Sequence, residues 1–499
     1  MRNVHLREAL FACLALSLAG AGLAVDLASR RPASAGLELA ASAGAPARFH
    51  ERSVFCPGAR GRGASGALSV HTPRSRGIRV AARPWNGDPA PVDGKMLWLS
   101  GAGRRAVNVV GSGGRVTAAS LVGWRATHGK GREDATAPDG AGASGCSSRA
   151  SEHWYFPLGA SSAGWDERIT ILNPFPDTAI ARVHFASGRK VEGQDPHEVA
   201  VPARTSVQVE VNRVALPDPS LAATVTVRRG RVVAWKTIFR NPRIERSSQR
   251  LAHLSGRSPR SGPASGGALF SLGATGTSAR WYFPEAGAGP GRSTTLALMN
   301  PGKRPAAVTV SLLGRRAIVQ PPRLADVAVP AGGSKFVDLS APASRRGPVR
   351  SFGAVVASTD DVRVVAERSM SYTTAGLEGV ASEIGAPSPA RRWSLAPAAA
   401  RPAADDVIVL NPGSKDAVVD LTVFRPSRPG LAPPRLQGLV VEGGSRSTIA
   451  VGGRPGRGPG VVLARSSAPI VAERRAYSPD HGDVASIMGQ PLPLRANYS

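Results

Sequence analysis

Aromatic residues, lysines and cysteines are all scarce in this 499-residue sequence, and each scarcity removes a class of answer. Aromatics make up 5%, and they are not interleaved with basic residues as a nucleic-acid stacking surface requires. Lysines number 7 against 56 arginines, a bias that GC-rich codons produce without selection for a ligand. The net charge of +28 still favours anionic wall polymers or anionic lipid headgroups as partners. The arginines are spread through loops and linkers instead of gathered on one element, so nucleic acid is not an expected partner. No protein partner is indicated.

Catalytic patterns are missing as well. There is no G-x-S-x-G elbow, no G-x-x-x-x-G-K-[ST] phosphate loop and no H-E-x-x-H helix. Nothing nominates the facing carboxylate pair of a glycosidase, and Asp360-Asp361 and Asp405-Asp406 sit in turn-like stretches where aspartate is ordinary. A calcium loop is absent. His153, before one repeated tryptophan, becomes Arg280 and Arg392 in the other copies. The expectation is a protein that is not an enzyme and that takes no cofactor or metal.

What the sequence does have is punctuation. There are 57 glycines and 42 prolines, about a fifth of the chain, while 42% of residues are apolar and cluster in strand-length runs. That balance points to many short strands joined by turns, an all-β protein. Arg2 and Arg7 precede an apolar run over residues 9–25, closed by Asp26. Such a run reads as a signal anchor or signal peptide over 1–26, with small residues at Ala33-Ser34-Ala35 and Ala41-Ser42-Ala43 for a cleavage site. An uncleaved membrane anchor with the body outside the cell is the first reading, and a secreted form is the alternative. Cys13 lies inside that run; Cys56 and Cys146 then read as one disulfide in an exported chain, two free thiols being the alternative.

Residues 27–50, rich in Ala, Ser, Gly and Arg, read as a flexible tether, and 51–150 as a small disulfide-closed β domain. A repeat follows. Trp154-Tyr155-Phe156-Pro157 matches Trp281-Tyr282-Phe283-Pro284 and, more loosely, Trp393-Ser394-Leu395-Ala396-Pro397. Each is followed by an apolar strand ending in Asn-Pro, at Asn173, Asn300 and Asn411. A last strand carries Val233-Ala234-Trp235-Lys236, Val365-Ala366-Glu367-Arg368 or Val471-Ala472-Glu473-Arg474. The copies span 151–243, 279–388 and 389–499, with 244–278 as a Ser/Gly/Arg linker. Six or seven strands per copy fit an immunoglobulin-like antiparallel sandwich. The period is too long for a propeller blade, and no helical stripe supports a solenoid.

These strings resemble a repeat of uncharacterised exported cell-surface proteins of high-GC Gram-positive bacteria. In that family, copies similar to immunoglobulin-like sandwiches stand in tandem behind a signal or anchor. The likeness covers about residues 150–499 and extends to Cys56-Pro57-Gly58. It departs at Ser394-Leu395 and Trp235-Lys236. It implies architecture and location; the family brings no established activity.

The repeated residues admit a plain reading beside a functional one. Trp154, Trp281 and Trp393 are core anchors of a first strand, or else platforms for sugar rings. Asn173, Asn300 and Asn411 are turn residues, or else ligands. Glu367-Arg368 and Glu473-Arg474 form an exposed charged patch or an ion pair between sheets, and strand alternation lets only one of each pair face outward. A structural or adhesive envelope protein is the leading expectation, ahead of a glycan-binding module and, remotely, an envelope hydrolase.

Overall fold

In the computed structural model, the described residues are 52–59, 63–71, 79–84, 90–93, 96–100, 107–112, 116–125, 139–187, 196–241, 266–315, 318–340, 351–374, 377–425, 430–452 and 460–493. The apolar run over 9–25, the tether over 27–50 and Cys13 lie outside them. No helix among the described residues is long and apolar enough to cross a membrane.

The described residues are nearly all strand, in antiparallel sheets. The third sandwich shows the layout. Its strands in chain order are Arg280–Gly287, Arg292–Asn300, Ala306–Leu313, Val327–Val329, Gly333–Asp338, Ser351–Ser358, Val365–Thr374 and Leu377–Ile384, with a short Ile318–Val319 beside the third. One sheet runs first-sixth-third-fourth and the other fifth-second-seventh-eighth. The second sandwich (first strand His153–Gly159, eighth Gly267–Leu272) and the fourth (first strand Ala390–Leu395, eighth Asp483–Met488) repeat this order. In the fourth, the sixth and seventh strands are one continuous Val461–Ser478 that passes from sheet to sheet.

Two expectations change here. The small β domain over 51–150 has the same eight strands in the same order, from Arg52–Cys56 to Gly140–Gly145, so the chain holds four copies. The linker over 244–278 contains Gly267–Leu272, which pairs with Val233–Arg240 as the eighth strand of sandwich 2. It read as linker because the Ser/Gly/Arg stretch before it separates it from the seventh strand by 26 residues.

Outer strands alternate as a half-covered sheet should. In Ala179–Ser187, residues Ala179, Ala181, Val183 and Phe185 point into the core while Arg182 and His184 face outward. The seventh and eighth strands do not alternate. Val233–Arg240, Gly267–Leu272 and Asp483–Met488 are buried throughout, because one face covers its own core and the other packs on a neighbouring sandwich.

The four eighth strands form a closed ring, each packing on the next and the fourth on the first. At one end of the ring sits Asp483. Its Oδ2 accepts the backbone N–H of Ala141 (2.9 Å) and Ala268 (2.9 Å), and its Oδ1 accepts those of Val380 (2.8 Å) and Val484 (2.8 Å). Each donor comes from a different sandwich, at the same strand position. The residue before the donor is Gly140, Gly267 and Gly379 in the first three copies, where the fourth has Asp483 itself. A Cβ at Gly379 (φ +131) or Gly267 (φ +146) would meet the Asp483 carboxylate at 2.1 or 2.7 Å, so one side chain fills the space for four. Burial pushes the Asp483 carboxyl up to about 8, against the opposing pull of the four donors.

Asp483→Ala removes every acceptor at this point. Each unsatisfied buried donor costs about 1–3 kcal/mol, so a loss of about 3 kcal/mol or more is expected in chemical denaturation followed by tryptophan fluorescence. An unchanged midpoint would show that the ring does not depend on this carboxylate.

Candidate functional site

The three repeated tryptophans are among the fully buried large side chains of their sandwiches, at 0–1% exposure. Each indole Nε1–H donates to a backbone carbonyl at the start of the seventh strand: Trp154 to Val232 (2.9 Å), Trp281 to Val364 (2.8 Å) and Trp393 to Ile470 (2.8 Å). No ring face is open to a sugar. The asparagines are equally enclosed. Asn300 donates through Nδ2 to the carbonyls of Arg304 and Val329 while its Oδ1 accepts the Gly302 N–H. Asn173 and Asn411 make the same three kinds of bond. They fold the turn after the second strand and bind nothing else.

The polar residues of the seventh strands do come together, across sandwich boundaries. Strand register puts Ala119, Trp235, Glu367 and Glu473 at one position, each opposite the last residue of its eighth strand. Ser120, Lys236, Arg368 and Arg474 follow them. The cation of one sandwich meets the carboxylate of the next. Lys236 Nζ lies 2.7 Å from Glu367 Oε2, and both side chains are fully buried. Arg368 forms a two-pronged pair with Glu473, at 2.6 and 2.8 Å. The backbone takes part identically: Lys236 donates to the Leu158 carbonyl and Arg368 to the Glu285 carbonyl. The Leu158 N–H in turn donates to Glu367 (3.2 Å). Sequence alternation allowed only one residue of each Glu-Arg pair to face outward from its sandwich. In the structure none faces solvent, because the outer face of this sheet is itself an interface.

Further charges gather at the same seams. Between sandwiches 3 and 4, Arg475 pairs with Glu285 and with Asp406 (2.5 Å). Between 2 and 3, Glu167 lies near Lys236 and Glu367, and burial pushes its carboxyl up to about 7. Burial likewise raises Glu383 well above the carboxylate range. Arg474 finds Ala119 where the pattern would offer it a partner, and pairs instead with Asp405 of its own sandwich (2.6 and 2.7 Å). Sandwich 1 therefore contributes no charge at this position to either of its seams.

Its seam with sandwich 4 is closed by neutral groups. Thr117 Oγ1 and Ser394 Oγ are 3.2 Å apart, and Gln490 donates to the Ala118 carbonyl (3.3 Å). The His71 ring lies 5.1 Å from Phe424 across the seam, and burial pulls it down to about 4. A small cavity here is lined by Ser69, His71, Thr117, Ser394 and Gln490.

Cys56 and Cys146 form the expected disulfide. Register identifies their place in the repeat. Phe55 bridges to Ser147 as Tyr155 does to Ala274, Tyr282 to Ala386 and Ser394 to Gln490. Val54-Phe55-Cys56-Pro57 is therefore the fourth version of the Trp-Tyr-Phe-Pro string, with Cys56 at the phenylalanine position. That string, and the Asp483-Val484-Ala485-Ser486 exit beside Gly379-Val380-Ala381-Ser382, were the available signals for the fourth copy and for the axial carboxylate.

Chemically, this arrangement holds sandwiches together. Most of its ionisable side chains are buried and paired with one another or with backbone.

Residues 267–494 match a family of unknown function (DUF5719), from the eighth strand of sandwich 2 to the end of sandwich 4. No curated protein matches the chain. Among solved structures, Thermotoga maritima 1070 is similar at 14% identity over 21% of this chain and 96% of its own, with a TM-score of 0.19. The Anabaena sensory rhodopsin transducer is similar at 21% identity over 17% of this chain and 79% of its own, with a TM-score of 0.15.

Arg368→Met strands the Glu473 carboxylate and is expected to cost about 3–5 kcal/mol, whereas R368M/E473L restores most of it. Denaturation midpoints measure both, and an equal loss in the two would mean that the pair is not coupled. Glu167 gives a pH test. Its folded value of about 7 lies above the ordinary 4.5. Its contribution is therefore complete below about pH 4.5 and is lost as pH rises through 7. Glu167→Gln cannot ionise; it is expected to match the parent near pH 4 and exceed it by up to about 3 kcal/mol near pH 8.

Proposed function

We propose that this chain is a non-catalytic cell-envelope protein, a rigid ring of four sandwiches with a structural or adhesive role. The observation that carries this reading is the use made of the recurring polar residues. Lys236, Glu367, Arg368 and Glu473 fall at two adjacent positions of the seventh strands of sandwiches 2, 3 and 4, and all four are consumed in joining those copies. A shared active site would leave such groups lining a cleft. A chain that reuses one sandwich to build one body is a scaffold.

The outside supplies the contact chemistry. Lys303, Arg304, Lys415 and Arg435 are exposed, and the chain as a whole carries +28. We infer weak, salt-dependent attachment to anionic wall polymers or lipid headgroups. In the same reading, residues 9–25 anchor the chain in the membrane with the ring outside, and a secreted form follows if that segment is cleaved.

Sedimentation with purified anionic wall polymer tests the attachment. Binding at low ionic strength is expected to vanish at about 0.5 M salt, where the screening length falls to roughly 4 Å. Binding that survives salt and is lost in Phe175→Ala, an exposed aromatic at 40%, would favour a glycan-binding module instead. Release of sugar or peptide from envelope material by the purified chain would overturn the non-catalytic reading.

A further inference from the structure

The Cys56–Cys146 bridge stands where the other three sandwiches have no sulfur. In those copies a large side chain on the first strand lies over a glycine at the exit of the eighth. A Cβ on Gly273 would come within 2.8 Å of the Phe156 ring, one on Gly385 within 2.7 Å of Phe283, and one on Gly489 within 3.0 Å of Leu395. Three sandwiches join their two sheets at this point by packing, and sandwich 1 joins them by a covalent bond. Two thiols fill the space of neither a phenyl ring nor a leucine side chain. Once reduced, the joint has no bond and no filling.

Among the described residues, the core cluster around the bridge is Val54, Cys56, Leu68, Val70, Val109, Val116, Ala118 and Cys146. Among the same residues, the seams of sandwich 1 with sandwiches 2 and 4 lack the buried Lys–Glu or Arg–Glu pair that joins 2 to 3 and 3 to 4, and Trp124 packs on Phe239 and Phe270 of sandwich 2 instead. The eighth strand of sandwich 1, which Cys146 directly follows, carries Ala141, the donor to Asp483. The Cys146 N–H bonds to the Ala118 carbonyl, the same carbonyl that receives Gln490 from sandwich 4.

We propose that oxidation of Cys56 and Cys146 is a redox switch that closes the ring. With both thiols reduced, sandwich 1 stays loose, its eighth strand does not seat on Asp483, and the seam with sandwich 4 remains open. A disulfide oxidant removes two electrons and two protons, the S–S bond forms, and the ring closes. A dithiol reverses the step by becoming a disulfide itself. The switch concerns only the redox state of this joint and holds whether the chain is anchored or secreted.

The full chain, refolded from denaturant with or without dithiothreitol, is compared by hydrogen exchange. Reduction is expected to speed exchange at least about tenfold in Gly140–Gly145 and in Asp483–Met488, while Arg292–Asn300 of sandwich 3 is unaffected. C56F/C146G installs the joint of the other copies and is expected to be protected equally with and without dithiothreitol. C56A/C146A is expected to exchange like the reduced chain whatever the redox condition. Full protection of Gly140–Gly145 and Asp483–Met488 in the reduced chain or in C56A/C146A would overturn the proposal. So would fast exchange that stops at sandwich 1 and leaves Asp483–Met488 protected. If C56F/C146G is overpacked and does not fold, the reduced chain and C56A/C146A decide the matter.

Discussion

A strand at the edge of a sheet leaves a row of N–H and C=O groups unpaired, and burying that edge is costly unless the groups find partners. Each sandwich here ends on such an edge, its eighth strand, and all four edges are turned inward on one another. The Asp483 carboxylate meets that constraint at one end of the ring. It offers acceptor sites to one N–H from every sandwich, in a space that Gly267 and Gly379 keep open. The central packing, and with it the burial of every seventh strand on both faces, rests on this shared solution.

Once the edges close into a ring, the seventh and eighth strands of each second sheet lose their solvent face, and charges on them must pair. Buried ion pairs add little net stability, because desolvation offsets most of the attraction. What they supply is order. A cation at one position and a carboxylate at the position before it match only when sandwiches are stacked head to tail. That is the arrangement of a heterologous interface whose rotation closes. Lys236 with Glu367 and Arg368 with Glu473 fix the sequence 2-3-4. A swapped order would leave full charges facing apolar groups such as Trp235 or Ala119.

Much of this was legible from residue patterns, and the gaps have physical causes. The tryptophan, Asn-Pro and Val-Ala-Glu-Arg strings repeat because strand entry, turn and inner strand recur, and they delivered the all-β sandwiches. The first copy escaped notice because its joint is chemically different. Cysteine stands for phenylalanine, cysteine for glycine, and Val54 for tryptophan. The pairing of Lys236 with Glu367 spans 131 residues, and Arg368 with Glu473 spans 105. Strand alternation assigns faces within one sheet and is silent about a neighbour covering the outer face. Nothing in its own copy singles out Asp483, because its role depends on glycines and backbone donors in the other copies.

The same geometry separates the scaffold from its surface. Among the described buried residues the cationic side chains are Lys236, Arg240, Arg368, Arg392, Arg446, Arg474 and Arg475. The acidic ones are Glu167, Glu285, Glu367, Glu383, Asp405, Glu473 and Asp483. The two sets are equal in number, so on formal counting the +28 excess lies outside them, while burial favours the neutral acid at Glu167, Glu383 and Asp483. An arginine outside the seams can change without disturbing the ring, whereas Arg368 cannot. Attraction to an anionic surface and cohesion of the body therefore draw on different arginines, and the composition that looked like one property of the sequence is two.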